Sequence, residues 1–260
     1  MRCGISTSCF FPEDTVLSLQ QVVQMGSPVT EVFLNTFSEA EDAYIDRLCD
    51  IVKGSGTEVV SVHPFSSMLD GYFFASHYPT RFWDGLSLFK RYYEICGRLG
   101  ANKLVFHGDH NQNSEQFSHG EYAEHFRTLS ELGRQYGVVL CHENVHYCRL
   151  GDPANVRILR PMFGDAAAFT LDTKQVQRKK ASLDEMLTAM GEDIRHVHIS
   201  DFTPQKDCML PGKGRLDFPA LVKRLRSYGY QGDLIIELYQ DGFTRNEELV
   251  EAMRYIQSLI

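Results

Sequence analysis

A chain of 260 residues, 43% of them hydrophobic, can form one large domain with a sizeable core or two small domains. The formal net charge of −8 argues against nucleic-acid binding, because proteins recognise phosphate backbones with clustered lysine and arginine. Composition and charge therefore favour a small-molecule substrate and predict no nucleic-acid partner.

The cysteines and the apolar runs bear on the cellular compartment. The seven cysteines are an odd number and include no CxxC pair, which is typical of reduced thiols rather than of a disulfide framework. No stretch approaches the roughly 20 apolar residues of a membrane span. The first residues also lack the apolar core of a signal peptide. We expect a cytoplasmic protein with no membrane partner.

Short strand-like segments alternate with longer segments of helical periodicity, and the alternation repeats eight times. The predicted strands cover 3–7, 29–35, 58–63, 103–107, 138–143, 168–172, 196–200 and 234–238. The predicted helices cover 15–25, 39–53, 81–99, 120–136, 153–160, 182–190, 218–228 and 245–258. Eight such units at this length predict an α/β protein with a closed (β/α)8 TIM barrel, in a single domain over residues 1–260. No GxGxxG follows the first strand, which disfavours an open dinucleotide-binding sheet.

Six of these strands end in a histidine or a carboxylate. In a (β/α)8 barrel the active site lies at the carboxyl ends of the strands, so these side chains are expected to meet. Their apolar neighbours, Val60 and Val62 among them, are expected to face the helices. The strand-end residues are His63, His107, Glu143, Asp172, His198 and Glu237.

Carboxylates and imidazoles that meet in one barrel mouth need a compensating cation, because burial of unpaired charges is costly. Glu143, Asp172, His198 and Glu237 offer mainly oxygen ligands with one nitrogen. That donor set favours one Mn²⁺ or Mg²⁺ ion, with Co²⁺ or Zn²⁺ as alternatives. For any single residue, a hydrogen-bonded polar side chain at the rim is the competing interpretation.

Five short motifs occur in an order and at a spacing that resemble a known family. They are Cys141-His142-Glu143-Asn144, Leu171-Asp172-Thr173-Lys174-Gln175, His196-Val197-His198-Ile199-Ser200-Asp201, Pro211-Gly212-Lys213-Gly214 and Ile235-Ile236-Glu237. The chain resembles the xylose isomerase-like TIM-barrel superfamily of sugar isomerases and epimerases, which also contains AP endonucleases of the endonuclease IV type.

The resemblance to epimerases of the tagatose and psicose type implies an isomerase that binds a sugar or sugar derivative. There, the positions that match Glu143, Asp172, His198 and Glu237 bind one divalent metal ion. The two glutamates exchange protons with the substrate through a metal-stabilised enediolate, so the catalytic residues are predicted to be Glu143 and Glu237. An inosose-type dehydratase and a non-catalytic sugar-binding barrel remain alternatives.

Two departures from the family patterns limit what the resemblance implies. Gln175 stands where many of those epimerases have a histidine, which weakens the case for a second ion. The endonucleases carry an Asp-x-His before the glycine motif, but here the segment reads Lys206-Asp207-Cys208-Met209-Leu210. DNA-repair chemistry is therefore disfavoured.

Four residues are predicted to bind substrate: His63, His107, Gln175 and Lys213. Lys213, together with Arg149 and Lys174, is a candidate to meet a phosphate or carboxylate on the substrate, although surface lysines are common. For His110, His142 and His146, which lie in or near loops of the same face, solvation or packing is the preferred interpretation.

Two further predictions concern the strand from Arg195 to Asp201 and the loop 64–79. His196 is expected to be a hydrogen-bonded residue of the barrel interior, and Asp201 to act from outside the ligand shell by orienting its loop or a neighbouring ligand. The aromatic-rich loop 64–79 is a candidate lid, cavity wall or subunit interface, so a homo-oligomer is possible.

Overall fold

The computed structural model describes residues 1–110 and 117–260. Parallel strands pair in chain order, and the last pairs with the first to close a barrel of eight strands. The predicted (β/α)8 TIM barrel is confirmed. The strands are β1 (Cys3–Ser6), β2 (Val29–Phe33), β3 (Glu58–His63), β4 (Lys103–Phe106), β5 (Val139–Glu143), β6 (Phe169–Asp172), β7 (Ile194–Ile199) and β8 (Leu234–Ile236).

Helices follow the strands and pack against the outside of the barrel. The α-helices of the described ranges are α1 (Thr15–Gln24), α2 (Asp42–Val52), α3 (Asp70–Phe74), α4 (Pro79–Leu99), α5 (His119–Gln135), α6 (Pro153–Phe163), α7 (Thr173–Lys179), α8 (Leu183–Met190), α9 (Phe218–Ser227) and α10 (Asn246–Gln257). None of the helices in those ranges combines the length and the hydropathy that a membrane span requires.

Helices α3 and α7 were not predicted from the sequence. Helix α3 falls in the segment that was predicted to be a loop after β3. Helix α7 begins directly after β6, because the Asp172 side chain accepts hydrogen bonds from the backbone amides of Lys174 and Gln175. The residue that ends β6 therefore also starts the next helix.

One strand-facing prediction is wrong. Val62 packs in the main core between strands and helices, as expected, but Val60 belongs to a separate small cluster with Val29 and Ile235. The pairing of β2 with β3 runs from Thr30 opposite Val59 to Glu31 opposite Ser61, so Val60 is skipped. Such an irregularity reverses the alternation of side chains along the strand, which turns Val60 toward the interior.

The segment 64–79 divides its aromatic residues between core and surface. Phe74 is buried, with its ring 5.1 Å from Phe89 and 5.7 Å from Phe106 between ring centres. Met68 and Tyr78 are exposed to 83% and 63%. Phe74 therefore anchors the segment after β3 to α4, while other apolar side chains of the segment remain at the surface.

Candidate active site

A cavity of about 310 Å³ opens at the carboxyl ends of the strands. Its walls combine aromatic rings with charged, amide and hydroxyl groups, a pattern typical of small-molecule sites. Within the described part of the chain, no residue of 64–79 lines the cavity, so the prediction of a wall there is wrong. The lining residues are Ser8, Phe11, Phe33, Asn35, His63, His107, Glu143, Tyr147, Lys174, Gln175, Arg178, Glu237, Leu238 and Tyr239.

The four predicted metal ligands come together at the inner end of this cavity. Glu143 and Asp172 end β5 and β6, His198 lies one residue before the end of β7, and Glu237 directly follows β8. One possible ligand atom from each lies within 4.8 Å of the others. All four side chains are buried, with at most 8% of any residue exposed. Their role as ligands remains a prediction.

Glu31, a residue of β2 that the sequence analysis missed, orients His198. The Glu31 Oε2 atom lies 3.0 Å from His198 Nε2, which turns His198 Nδ1 toward Glu143 and Glu237. The distance from His198 Nδ1 to Glu237 Oε2 is 3.6 Å. A ring nitrogen held by a carboxylate behind it is the usual support of a metal-binding histidine.

The same Glu31 carboxylate satisfies an inner polar layer of the barrel. Its Oε2 atom lies 2.9 Å from His196 Nε2 and accepts a hydrogen bond of 2.8 Å from the Ser61 hydroxyl. His196 is therefore the interior, hydrogen-bonded residue that the sequence predicted. A glutamate at an inward position of the apolar strand β2 was the signal that could have revealed this layer.

Burial and charge pairing shift the pKa values of this layer in opposite directions. Burial acts to raise the pKa of Glu31, but the imidazoles of His198 and His196 outweigh it and hold that pKa well below its usual range. Burial lowers the pKa of His196 to about 4. For His198, burial is opposed by the negative charges of Glu31 and Glu237, and the pKa rises to about 10. Without a bound cation, the layer thus favours a charged Glu31 with a positive His198. Metal binding by His198 would require the proton to leave Nδ1.

Three buried atoms at the strand ends accept or donate no well-aligned hydrogen bond within the described residues: Glu143 Oε2, Asp172 Oδ2 and His198 Nδ1. Two of them have a charged or titratable neighbour, since His107 Nε2 lies 2.9 Å from Glu143 Oε2 and Lys174 Nζ lies 3.3 Å from Asp172 Oδ2. Burial and the neighbouring carboxylates raise the pKa of Asp172 to about 7, against the charge of Lys174. Buried polar atoms are rarely left without a partner, and a cation would satisfy all three. The donor set therefore fits a divalent ion.

Lys174 occupies a position inside this cluster that the sequence did not predict. Its Nζ atom lies 2.8 Å from Glu237 Oε2 and 3.3 Å from Asp172 Oδ2. Burial opposes its charge, but Asp172 and Glu237 raise the pKa of Lys174 well above its usual value. Lys174 is therefore an ammonium that contacts two of the predicted metal ligands.

The other two cations that were considered for substrate binding lie elsewhere. Arg149 is fully buried and forms a bidentate ion pair with Asp109, at 2.8 Å from Nε and 2.6 Å from Nη2. Its guanidinium also lies 4.5 Å from the centre of the Tyr122 ring. The prediction that Arg149 meets a substrate anion is wrong, because its guanidinium is fully buried and pairs with Asp109. This ion pair joins two loops.

Lys213 is exposed and, of the described residues, is not among those that line the cavity. It lies on a loop whose backbone amides at Gly212, Gly214 and Leu216 donate to the Asp201 carboxylate at 2.8–3.0 Å. A Cβ atom at Gly214 would lie 2.3 Å from Asp201 Oδ1, so the motif requires glycine there. Asp201 thus orders its own loop, and the placement of Lys213 does not support a substrate contact.

The remaining predicted substrate residues, His63, His107 and Gln175, all line the cavity. The Nε2 atoms of the two histidines are 2.9 Å apart, and His107 Nε2 lies 2.9 Å from Glu143 Oε2. Gln175 accepts hydrogen bonds from the backbone and ring of His146. The three residues come together as predicted, while substrate binding by them stays a prediction.

The other two histidines, His142 in β5 and His110 in the loop after β4, have structural surroundings. His142 is buried and accepts a hydrogen bond of 2.6 Å from the Tyr122 hydroxyl, and burial lowers its pKa to about 3. His110 stacks on Tyr147 with ring centres 4.7 Å apart. The packing interpretation of these residues agrees with the structure.

Two other groups have the composition of a metal site. Glu31, His196 and His198 form one, but their contacting atoms already satisfy one another. His63, His107 and Glu143 form the second, in which the histidines lie at hydrogen-bond distance from each other. Atoms without a hydrogen bond belong to three residues of the group Glu143, Asp172, His198 and Glu237, which is more than in either of the other two groups, and this favours the four-residue group.

Comparison with known proteins agrees with the fold. A family described as xylose isomerase-like TIM barrel matches residues 19–259. The chain belongs to this family. The predicted resemblance is thereby confirmed.

Curated relatives of this xylose isomerase-like barrel are distant, and two of them align with only about half of the chain. An uncharacterized protein, MJ1188 of Methanocaldococcus jannaschii, is 26% identical over 154 residues, which are 54% of this chain and 56% of that protein. An inosose dehydratase of Klebsiella pneumoniae subsp. pneumoniae is 24% identical over 158 residues, 52% of this chain and 53% of that one. The chain thus spans little more than half the length of these relatives.

Solved structures of similar fold include sugar epimerases. The 3-keto-D-glucoside 4-epimerase of E. coli has 19% identity and a TM-score of 0.77, covering 99% of both chains. D-psicose 3-epimerase of Clostridium cellulolyticum H10 has 15% identity and a TM-score of 0.78, covering 100% of this chain and 99% of that one. The IOLI protein, solved with a bound zinc atom, has 17% identity and a TM-score of 0.79, covering 98% and 96%. At these identities the likeness shows the shared fold.

Proposed function

We propose that this protein is a divalent-metal-dependent isomerase or epimerase that acts on a sugar or sugar derivative. The observation that carries the proposal is the convergence of Glu143, Asp172, His198 and Glu237, with buried atoms left unsatisfied among the described residues. A divalent ion held by these four residues would polarise a substrate carbonyl and stabilise the negative charge that develops when a neighbouring proton leaves.

The two glutamates are suited to remove and return that proton. Glu143 ends β5 and Glu237 follows β8, so two strands of the barrel separate them and they approach the cavity from different sides. Burial acts to raise both pKa values. The contacts with His107, His63 and His198 outweigh it and hold the pKa of Glu143 well below its usual range, and Lys174 and His198 lower the pKa of Glu237. Both side chains are thus carboxylates, the form that accepts a proton.

The cavity wall supports a polyhydroxylated substrate. Asn35, Gln175 and Ser8 offer amide and hydroxyl groups that can pair with sugar hydroxyls. Phe33 stacks on His63 with ring centres 4.4 Å apart and adds an aromatic surface. The cavity is of a size for a small molecule, at about 310 Å³.

Proton exchange with solvent tests the proposal. The metal-loaded protein is incubated in deuterated water with a panel of ketoses, keto-sugars and their phosphates, and deuterium is located by NMR. We expect deuterium at the carbon next to the carbonyl, lost on chelation and restored by Mn²⁺. In Glu237→Gln the exchange rate should fall by about 10²- to 10⁴-fold.

Glu58→Gln is the matched control, since Glu58 is exposed beside Arg2 at the other end of the barrel. It should exchange at the wild-type rate. No exchange over the whole panel, or full exchange in Glu237→Gln, would contradict the two-glutamate function.

A dehydratase of the inosose type is the second candidate, because curated relatives with that name align with about half of the chain. It would also begin with proton removal next to a carbonyl, but a hydroxyl group would then leave. An absorbing unsaturated or dicarbonyl product, rather than an isomeric sugar, would identify this reaction.

A further inference from the structure

Lys174 places a positive charge where the predicted metal ligands meet. Its Nζ atom lies 2.8 Å from Glu237 Oε2 and 3.3 Å from Asp172 Oδ2, and only 5% of the side chain is exposed. At these distances the ammonium contacts one oxygen of each carboxylate. Two of the four predicted ligands are therefore already in contact with a cation.

The oxygen of Asp172 that Lys174 contacts is the one that a metal ion would need. Asp172 Oδ1 accepts the backbone amides of Lys174 and Gln175 at the start of α7, at 2.6 Å and 3.2 Å. Only Oδ2 faces the strand ends, and within the described residues its contact with Lys174 lacks the alignment of a hydrogen bond. Lys174 and a metal ion would thus depend on the same atom.

We propose that Lys174 is a built-in cation that competes with the divalent ion for Asp172 and Glu237. This inference rests on the metal site of the proposed function. Two cations that share carboxylate oxygens repel each other strongly in a buried site, so an ion can bind fully only when the ammonium moves away. Lysine suits such a role because its charge is carried on a flexible four-carbon chain.

The Tyr239 ring, which the Arg178 guanidinium also contacts at 5.2 Å, lies beside the Lys174 ammonium. The Lys174 Nζ atom lies 5.2 Å from the centre of the Tyr239 ring, and both residues line the cavity. A cation over an aromatic face is stabilised by the charge distribution of the ring. A swing toward Tyr239 would keep the ammonium solvated at the cavity wall while it frees Glu237.

Competition has two consequences for the protein without metal. Lys174 pairs carboxylates that would otherwise be buried unpaired, so it stabilises the metal-free barrel. It also lowers the affinity for the ion, since part of the binding free energy is used to displace the ammonium. Removal of the charge should therefore weaken the metal-free fold and strengthen metal binding.

Calorimetric titration with MnCl₂ after treatment with EDTA tests the proposal on the full chain. Lys174→Met, which keeps an unbranched side chain of nearly the same length but removes the charge, should bind Mn²⁺ at least tenfold more tightly than wild type. Lys174→Arg keeps the charge and should not gain affinity. Lys223→Met, on the exposed side of α9, makes the same change of net charge away from the site and should match wild type.

Equal or weaker Mn²⁺ binding by Lys174→Met would overturn the competition while the metal site itself stands. Binding by Lys174→Met alone, without binding by wild type, would support it in the strongest form. No Mn²⁺ binding by any variant would overturn both this inference and the metal dependence of the proposed function.

Thermal unfolding gives a readout that does not depend on activity. In EDTA, Lys174→Met should melt below wild type, and Mn²⁺ should raise its melting temperature by more than it raises that of wild type. Lys174→Gln serves as the second variant if the methionine protein does not fold. Equal shifts by Mn²⁺ in all proteins would contradict the competition.

Discussion

Two buried clusters of charge in this barrel differ in how completely their atoms are paired. Asp109 and Arg149 are both fully buried, and the guanidinium uses its donors on the carboxylate, on the Phe117 carbonyl and on the His119 ring. At the strand ends, Glu143, Asp172 and His198 each keep a buried atom with no hydrogen-bond partner in the described residues.

The difference separates structural from functional charge. A buried charge that serves the fold is expected to be satisfied within the protein, because an unpaired one is costly. Unsatisfied buried atoms that point to one place indicate that something else binds there. Burial by itself would not have distinguished Arg149 from the active-site cluster.

Disrupting the ion pair of Asp109 and Arg149 should have the largest effect on stability. Arg149→Met leaves the Asp109 carboxylate buried without its partner, and the free energy of unfolding should fall by about 3 to 5 kcal/mol. Urea unfolding followed by circular dichroism measures this change. Mn²⁺ affinity of the folded variant should be unchanged, since Arg149 contacts none of the four predicted ligands.

The double variant Asp109→Asn, Arg149→Met is the control, because it removes the unpaired charge. It should recover part of the lost stability. If the single and double variants were equally destabilised, lost packing rather than an unpaired carboxylate would be the cause.

Glu31→Gln tests whether the inner layer supports the functional cluster. The carboxamide keeps the shape of the side chain but loses the charge that holds His198 Nε2, so Mn²⁺ affinity should fall by about 10- to 100-fold. Isothermal titration measures the change. Glu39→Gln is a matched control, because Glu39 is equally a buried glutamate and bonds to Thr15 and Asn35 instead. Similar losses in both variants would argue against a specific role of Glu31.

His142 is a third kind of buried titratable group, because its neutral imidazole ring already has hydrogen-bond partners for both nitrogens. Its folded pKa of about 3 lies below the usual value near 6.5, so the unfolded chain binds a proton first as the pH falls. The contribution of neutral His142 to the free energy of unfolding is fully present above pH 6.5 and is lost progressively as the pH falls toward 3. His196 and His107, whose pKa values burial also lowers, add to the same acid sensitivity.

In His142→Gln the slope of unfolding free energy against pH should be shallower by up to about 1.4 kcal/mol per pH unit between pH 6 and pH 4. Chemical unfolding at a series of pH values gives both slopes. Parallel curves for variant and wild type would show that His142 does not titrate as its surroundings imply.

Much of the fold and part of the site followed from local patterns. Alternation of strand and helix periodicity predicted the barrel, and the position of Glu143 and Asp172 at the ends of strands predicted that they meet. Helix α7 was missed because it is short, and its start depends on the Asp172 side chain. The reversed facing of Val60 was missed because an irregular pairing with a neighbouring strand has no local signal.

The sequence by itself determined the fold class, the family and which residue types stand at the strand ends, because side-chain alternation and strand order are local and repeating properties. Only the tertiary structure decided the partners across the barrel. In the folded chain Glu31 bonds to His198, which is 167 residues away, and Lys174 bonds to Glu237. Arg149 lies outside the cavity and pairs with Asp109. A charged residue can pair with any opposite charge within reach, and the closed barrel alone determines which one that is.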